Sequence, residues 1–519
     1  MSKKIAGILS LSMVSYLAVN AGSTQSQDEK RPNILFAIAD DQSYPYASAY
    51  GTKGIRTPAF DEVAKKGILF TNTFVAAPQC SPSRAAILTG KNIWQLEEAG
   101  THSSYFPKKY TVFTDLLENS GYQIGFTGKP WGPGNWQDAG WSRNPVGPEY
   151  NSRKFQKVPA SGISKTDYFE NFKDFFAQKP AGKPFFFWYG GQEPHRDYEE
   201  GSGIKSGMNL SDATVPAFLP DVNLVKSDVL DHYLEIEWFD AQLGKMLRFL
   251  QEKGELDNTI VVVTADNGMA FPYAKANLQE YGTHVPLAIC WGKGISGQKV
   301  VNELVGMIDL APTFLEIAQI KDIPEMTGKS LSQILFSKNK AATKVRDYVL
   351  TGRERHTQAR PDNLGYPARA IRTEEFLFIL NLKPERWPAG DPAPEGSTRE
   401  HSLWPGYHDI DNSPTKLMLI ENAAQHPDFF KLGYKKRPAE ELYQITNDPA
   451  CLKNLAADPN FQHIKTRLRN ILETDLTAQG DPRMTGNGDI FESYPRFGAM
   501  RDFPGFKEKG KYNPNYQKK

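Results

Sequence analysis

Three short stretches of this sequence carry residue types that can do chemistry together. The first is Cys80-Ser81-Pro82-Ser83-Arg84, followed at once by Ala85-Ala86-Ile87-Leu88-Thr89-Gly90. A cysteine in a Pro-containing turn, ahead of an apolar run ending in Thr-Gly, reads as a nucleophile at a helix N-terminus. Unpaired N–H groups and the helix dipole favour an anion there. Arg84 then falls one turn in and can fork onto the oxygens of that anion, which a lysine does not do in a bidentate way. The competing reading is a buried structural cysteine, the usual fate of a lone Cys. The other two stretches are Asp40-Asp41 and Asp266-Asn267-Gly268. Adjacent carboxylates resist joint ionisation unless a cation or donors neutralise them. Three carboxylates and an amide suit a hard cation such as Ca2+, which takes about six to eight oxygens. They argue against zinc, for which histidine or thiolate would be expected. Alone, an Asp-Asp pair at a strand end is often a solvated turn or a helix cap.

Both acidic pairs follow continuous apolar runs, Asn33 to Ala39 and Thr259 to Ala265. Such runs read as strands buried on both faces of a parallel sheet, and in open α/β sheets ligands sit beyond the carboxyl ends of the strands. Tyr122 to Thr127 reads the same way and ends in Gly128-Lys129. Pro184 to Gly191 ends near Glu193-Pro194-His195, which points His195 at the active face. Asp228 to Glu252 has apolar residues at helical spacing, as has Asp309 to Ile320. This order predicts an α/β fold with a mostly parallel central sheet flanked by helices, over residues 30–345. After Ser337 the texture changes. Val345 to Thr351 and Ala370 to Leu382 read as strands, Pro384 to Pro405 as loop, and the tail from Arg501 as draped over the surface or disordered. Residues 346–519 are expected to form a smaller C-terminal subdomain.

The 519 residues, 39% hydrophobic and 23% charged, describe a folded chain too long for one comfortable core. A formal net charge of +1 excludes wholesale capture of a polyanion such as nucleic acid and leaves room for a local basic pocket. Residues 1–21, with Lys3 and Lys4 ahead of an apolar run, read as a secretory signal peptide. No later apolar run is long enough for a membrane span. The mature protein is therefore expected to be secreted or periplasmic. Three cysteines give no disulfide framework, and with Cys80 set aside as the nucleophile Cys290 and Cys451 could pair.

At these residues the chain resembles the sulfatase family, whose signature is Cys-x-Pro-Ser-Arg with Thr-Gly downstream. The resemblance implies that Cys80 is oxidised after translation to formylglycine (3-oxoalanine) by a maturation enzyme. It implies that Asp40, Asp41, Asp266 and Asn267, with the modified Cys80, hold one Ca2+. Lys129 and Lys275 match cations that contact the sulfuryl group, and a solvated loop lysine is the competing reading for Lys275. His195 matches the Pro-His element that protonates the leaving atom, and Asp266 takes the proton of the attacking hydroxyl. Trp131 departs from the commoner Gly-Lys-x-His pattern. His102 is a candidate substitute base, with a surface or packing role as the alternative. His284 stands where an arginine is more usual and reads as structural.

The segment Glu440 to Asp448, with Asn454-Leu455, resembles the family's C-terminal subdomain, a small antiparallel sheet with a helix, here Pro459 to Thr477. Phe271-Pro272 and Tyr366-Pro367-x-Arg369 are similar to the sulfamidase (heparan N-sulfatase) type. His356, Arg360, Arg369 and Arg372 could reach the pocket mouth and suit a substrate with further acidic groups, or could form a solvated basic face. The implied function is an exported sulfatase acting on sulfate esters or sulfamates of glycosaminoglycan-type sugars. Two rivals are a phosphonate monoester or phosphodiester hydrolase with the same formylglycine, and a non-catalytic sulfated-glycan-binding protein.

Overall fold

A computed structural model describes residues 31–295, 297–337 and 344–516, and the leader expected at residues 1–21 lies outside them. Its larger sheet has eight strands: β1 (Asn33–Ala39), β2 (Ile68–Phe74), β3 (Gln123–Gly128), β4 (Phe185–Gly190), β5 (Thr259–Ala265), β6 (His284–Cys290), β7 (Lys299–Val301) and β8 (Val305–Gly306). Their order is β3-β4-β1-β5-β6-β2-β7, with β8 also paired to β2. Strands β3, β4, β1 and β5 run parallel, and β6 is antiparallel to both of its neighbours. Every residue of β1, β4 and β5 is buried. That is why these stretches are continuously apolar rather than alternating: helices cover both faces of the sheet. The antiparallel β6 follows β5 by a loop and the short helix Glu280–Thr283, a return that needs no long crossover.

The helix expected from Asp228 begins at Asn223 and runs to Glu252, with Val225, Val229, Ile236, Leu243 and Leu250 on its buried side. The helix expected over Asp309–Ile320 is shorter, Leu310–Ile317. The chain turns away there, and Gln319 takes left-handed backbone (φ 59°).

The second sheet is wholly antiparallel, in the order β12-β11-β10-β9: β9 (Tyr348–Arg353), β10 (Ala368–Thr373), β11 (Phe376–Asn381) and β12 (Glu440–Gln444). The run Ala370–Leu382, read as one strand, is a hairpin. Glu374 and Glu375 cannot enter the sheet interior, and the turn closes with Phe376 N–H donating to Thr373 Oγ1 at 3.0 Å. Helix Gln462–Ala478 covers this sheet with Leu468, Leu472 and Leu476, one face at i, i+4 spacing. The tail is laid on the protein: Phe503 is buried, and Asn513 Nδ2 donates to the Asp362 carbonyl at 2.5 Å. Residues Arg31–Lys519 cluster as one unit. Cys80, Cys290 and Cys451 are all buried and free. Among the described residues no helix is long and apolar enough to cross a membrane.

Candidate active site

The carboxyl ends of four parallel strands meet at one place because their pairing is in step. Ile38 faces Thr264, and Ala39 faces Ala265 across β1 and β5. Asp40-Asp41 and Asp266-Asn267 therefore emerge side by side. Asp40 N–H donates to the Glu193 carbonyl beyond β4 (3.0 Å), and Asp266 N–H donates to the Ala39 carbonyl (3.1 Å). Successive residues of a strand point to opposite faces. Asp41 escapes that rule with φ 74°, a left-handed conformation that a non-glycine residue adopts at some cost. At the end of β3, Gly128 also has positive φ, and a Cβ there would lie 1.9 Å from the Gly190 carbonyl. Only glycine lets the β3 and β4 ends approach so closely, and this closeness carries Lys129 into the site.

Cys80 is the first residue of helix Cys80–Thr89, all of whose residues are buried and which Gly90 ends in left-handed backbone. The Cys80 side chain is 1% exposed. Its Sγ lies 3.4 Å from Asp40 Oδ1 and 3.9 Å from Asp41 Oδ1. Ligand atoms of Asp40, Asp41, Cys80 and Asp266 all lie within 4.8 Å of one another. Asn267 Nδ2 donates to Asp41 Oδ1 at 2.7 Å, while Asn267 Oδ1 is buried with no hydrogen-bond partner. A buried acceptor without a donor, among three carboxylates, fits a hard oxygen-seeking cation.

Cations ring this cluster. Lys129 Nζ is hydrogen-bonded to Asp40 Oδ2. Lys275 Nζ donates to Asp41 Oδ2 at 2.7 Å and lies 3.0 Å from Asp411 Oδ2. Arg84 is spent differently from the expected anion fork. Its Nε donates to Asp266 Oδ2 at 2.7 Å, and its Nη1 to the carbonyls of Lys129 and Pro130. Its Nη2, 3.7 Å from Asp40 Oδ1, is buried without a hydrogen-bond acceptor. Burial pushes the Asp40 carboxyl up, but Lys129, His195, Arg84 and Lys275 together hold it well below the usual range. Burial and the Asp40 charge raise Asp266, against the pull of Arg84 and Lys129. Burial and Asp40 likewise push the Cys80 thiol up, so that the unmodified residue is a poor thiolate.

His195 is the most open of these groups, its side chain 37% exposed. Its Nδ1 bonds the Arg196 carbonyl, so Nδ1 carries the proton and Nε2, 3.9 Å from Asp41 Oδ2, faces the cluster. Trp131, in the place expected to lack a base, donates from Nε1 to the Ser81 carbonyl at 3.0 Å. The indole thus holds the first turn of the Cys80 helix. Ser103 N–H donates to Ser81 Oγ at 3.0 Å, which lays the loop carrying His102 on the same turn. His102 Nδ1 lies 3.1 Å from the His356 carbonyl and 3.4 Å from Arg496 Nη1. Burial first, then His356 and Arg496, keep His102 neutral. His356 packs edge-on to His102 with ring centroids 4.6 Å apart, and burial pulls it down to about 3.

The three arginines expected at the pocket mouth are struts instead. Arg360 pairs with Asp409 at 2.8 Å and donates to the Trp387 carbonyl. Arg369 pairs with Asp481 at 2.6 Å and Glu354 at 2.8 Å. Arg372 pairs with Glu280 at 2.7 Å and lies over Phe74. All three are at most 4% exposed. A buried guanidinium must find a carboxylate of its own, and these have found theirs away from the cluster. His284 is structural as expected, stacked on Tyr44 (4.1 Å) and within 3.2 Å of Glu280 Oε2. Two groups were missed from the sequence, Asp411 and Arg496. Arg496 Nη1 donates to the His356 carbonyl at 2.5 Å. No motif or periodicity marks either position.

Residues 32–320 match the family model described as Sulfatase, and residues 271–387 match the one described as N-sulphoglucosamine sulphohydrolase, C-terminal. The chain is 28% identical over 507 residues to an ulvan-active sulfatase of Formosa agariphila, covering 93% of this chain and 90% of that protein. It is 27% identical over 512 residues to N-sulphoglucosamine sulphohydrolase of Homo sapiens, covering 89% and 93%. In fold it is similar to BT4656, solved in complex with its substrate D-glucosamine-2-N,6-O-disulfate. The TM-score is 0.60 at 20% identity, over 88% of this chain and 99% of that one. Because the first of these matches spans more than half of its length, the chain belongs to the sulfatase family, whose members hydrolyse sulfuric esters.

Proposed function

We propose that the protein is an exported sulfatase that removes sulfate, as ester or sulfamate, from a glucosamine-type sugar. Sulfatases work with a metal ion and a formylglycine. We assign the first here to one Ca2+ on Asp40, Asp41, Asp266 and Asn267, and the second to Cys80. The observation that carries this reading is the meeting of Cys80, three carboxylates and the unpartnered Asn267 Oδ1 inside a ring of cations. The name of the human relative, and the glucosamine disulfate bound by the structural neighbour, support the substrate class, while the name of the Formosa relative supports only a sulfated polysaccharide. Residues 1–21 would direct export, residues 30–345 supply the cluster, and residues 346–519 the wall beside it.

When bound, Ca2+ would supply Lewis acidity toward the attacking and sulfuryl oxygens, and the aldehyde hydrate of formylglycine would supply the hydroxyl nucleophile. The chain's own groups do the rest. Asp266 accepts a proton beside Cys80 and is oriented by Arg84 Nε. Arg84 Nη2, Lys129 Nζ and Lys275 Nζ present positive charge to the sulfuryl oxygens. His195 keeps its Nδ1–H on a carbonyl and acts as the acid in its imidazolium form, delivering the second proton, on Nε2, to the departing oxygen or nitrogen. His102, kept neutral beside the same turn, is the base available to assist release of sulfate where Trp131 cannot accept a proton.

Three measurements test the reading together. Peptide mass spectrometry should find formylglycine at position 80, metal analysis should find calcium, and N- or O-sulfated glucosamine should be desulfated faster than a matched phosphonate monoester is cleaved. Chelation should lower both activity and thermal stability. Active protein with unmodified Cys80, or with stoichiometric zinc and no calcium, would overturn the assignment. Faster phosphonate cleavage would move the protein to the rival hydrolase class, and binding without turnover to the non-catalytic one.

A further inference from the structure

Asp411 is absent from every motif discussed so far, yet it stands 3.0 Å from the ammonium of Lys275. It lies in an irregular segment, His408 to Asn412, that two anchors hold rigidly. On one side, Asp409 is 1% exposed and takes up Arg353 (3.0 Å), Arg360 (2.8 Å) and the Thr357 N–H (2.9 Å). On the other, Lys416 of helix Pro414–Glu421 is fully buried and donates to the Ile410 carbonyl (2.9 Å) and Asn412 Oδ1 (3.1 Å). Between these anchors the Asp411 side chain is 27% exposed. Its Oδ2 is buried against the Lys275 ammonium, and since a carboxylate can accept about four hydrogen bonds this one contact leaves acceptor capacity over. Lys275, His195 and His356 face this carboxyl and keep it ionised against the upward push of burial.

A fixed, ionised, partly open carboxylate is out of place beside an anion site, since it repels the sulfate that Lys129 and Lys275 attract. It is in place if the same ligand brings a donor. Carboxylates accept short, strong, charge-assisted hydrogen bonds from O–H and N–H groups. Sugar hydroxyls and amines one carbon from a sulfated position are such donors, at the right distance from the sulfuryl group. We propose that Asp411 is a specificity-determining residue whose carboxylate accepts a hydrogen bond from a hydroxyl or amine neighbouring the sulfated position of the sugar. The inference rests on the sulfatase reading above and adds a requirement to it: the neighbouring donor must be free. Sugars in which it is missing, or carries a second sulfate, are poor substrates. Lys275, shared between Asp41 and Asp411, links the recognition of that donor to the cluster.

The test is a cycle between one variant and one change in the substrate, which isolates the coupling of the two. Wild-type enzyme and Asp411→Asn are compared on a sulfated glucosamine and on the deoxy analogues lacking each neighbouring hydroxyl in turn. Thermal unfolding of both proteins shows that the variant is folded. Wild type should prefer the intact sugar over one deoxy analogue by about 30- to 100-fold in kcat/KM, because a site built to bond a donor leaves its own group unpaired when the donor is missing. Asp411→Asn should shrink that preference to less than about 5-fold, mainly by losing activity on the intact sugar. An equal loss on every substrate would mean that Asp411 acts only by holding Lys275, and the proposal would fall. It would fall equally if wild type did not discriminate among the analogues. If wild type desulfates no sugar at all, the underlying sulfatase reading has failed, an outcome recognised by silence of the unmutated enzyme.

Discussion

The cluster at the strand ends and the wall beside it are both dense in charge, but charge is used oppositely in the two. At the strand ends, charged groups outnumber their internal needs. Arg84 Nη2 and Asn267 Oδ1 are left unpartnered, and carboxylates of Asp40, Asp41 and Asp266 crowd together. In the second sheet and its surroundings, Arg360, Arg369 and Arg372 each have an internal carboxylate at 2.6–2.8 Å. The ligand site is marked by unmet bonding, whereas Arg360 and Arg369 have every nitrogen bonded and Arg372 leaves only Nη1 unpartnered. The identity of the residue does not distinguish them, since arginine serves in both.

That contrast can be broken in four ways. The largest effect is expected for Cys80→Ala, which should lower turnover by about 10^4 or more while leaving the unfolding temperature close to wild type. Residual activity within about 10-fold of wild type would remove the cluster from the chemistry. Next is Arg369→Ala, which strands Asp481 in the interior, leaves Glu354 with Arg483 alone and should cost about 3–5 kcal/mol of stability. The folded fraction should keep kcat and KM within about 3-fold. A specific rise in KM without loss of stability would return Arg369 to the pocket.

The third concerns pH. The Arg372 guanidinium beside Glu280 holds its carboxyl down at about 2, overcoming the upward push of burial. A depressed carboxyl contributes stability above the unfolded value near 4.5, and that contribution is lost as pH falls through 2. It amounts to about 3 kcal/mol by order of magnitude. Arg372→Gln should therefore lie below wild type in chemical denaturation at pH 6–7, and the gap should close toward pH 2. A gap that is constant with pH would show that the pair is not the source. The smallest effect is expected for His102→Ala, about 10- to 100-fold in kcat, with attack on sulfur largely intact. Sulfated enzyme should then accumulate in rapid-quench mass spectrometry. An unchanged kcat would make His102 a packing residue of the wall.

The strand-end residues were legible because each is contiguous with the element that places it. Asp40-Asp41 follows β1, Asp266-Asn267 follows β5, and Lys129 and His195 lie just past β3 and β4. Once apolar runs are read as parallel strands, the meeting of their ends follows from the fold. The wall offers no such rule. His102, His356, Asp411 and Arg496 come from four separate segments joined by contacts to carbonyls, such as His102 Nδ1 to His356 O across 254 residues. The arginines misled for the same reason: the partner that makes Arg369 a strut, Asp481, lies 112 residues away. Smaller errors have local causes. The hairpin inside Ala370–Leu382 was hidden by its apolar flanks, although the adjacent Glu374 and Glu375 carried the signal for a turn.

The enclosure of Cys80 has a consequence in time. Its side chain is 1% exposed, and the turn that carries it is held by Trp131, Ser103 and, through Arg84, by Asp266. On the assignment proposed for Cys80, an oxidising enzyme would not reach it in this fold and would have to meet the segment as an open chain. The last of these restraints, Asp266, is 182 residues downstream of Arg84. At ordinary rates of synthesis that distance takes about 10–40 s. If Cys80 is matured as proposed, the order of residues along the chain sets a clock: the cysteine emerges early, the aspartate that locks it emerges late, and the interval between them is when that oxidation would happen.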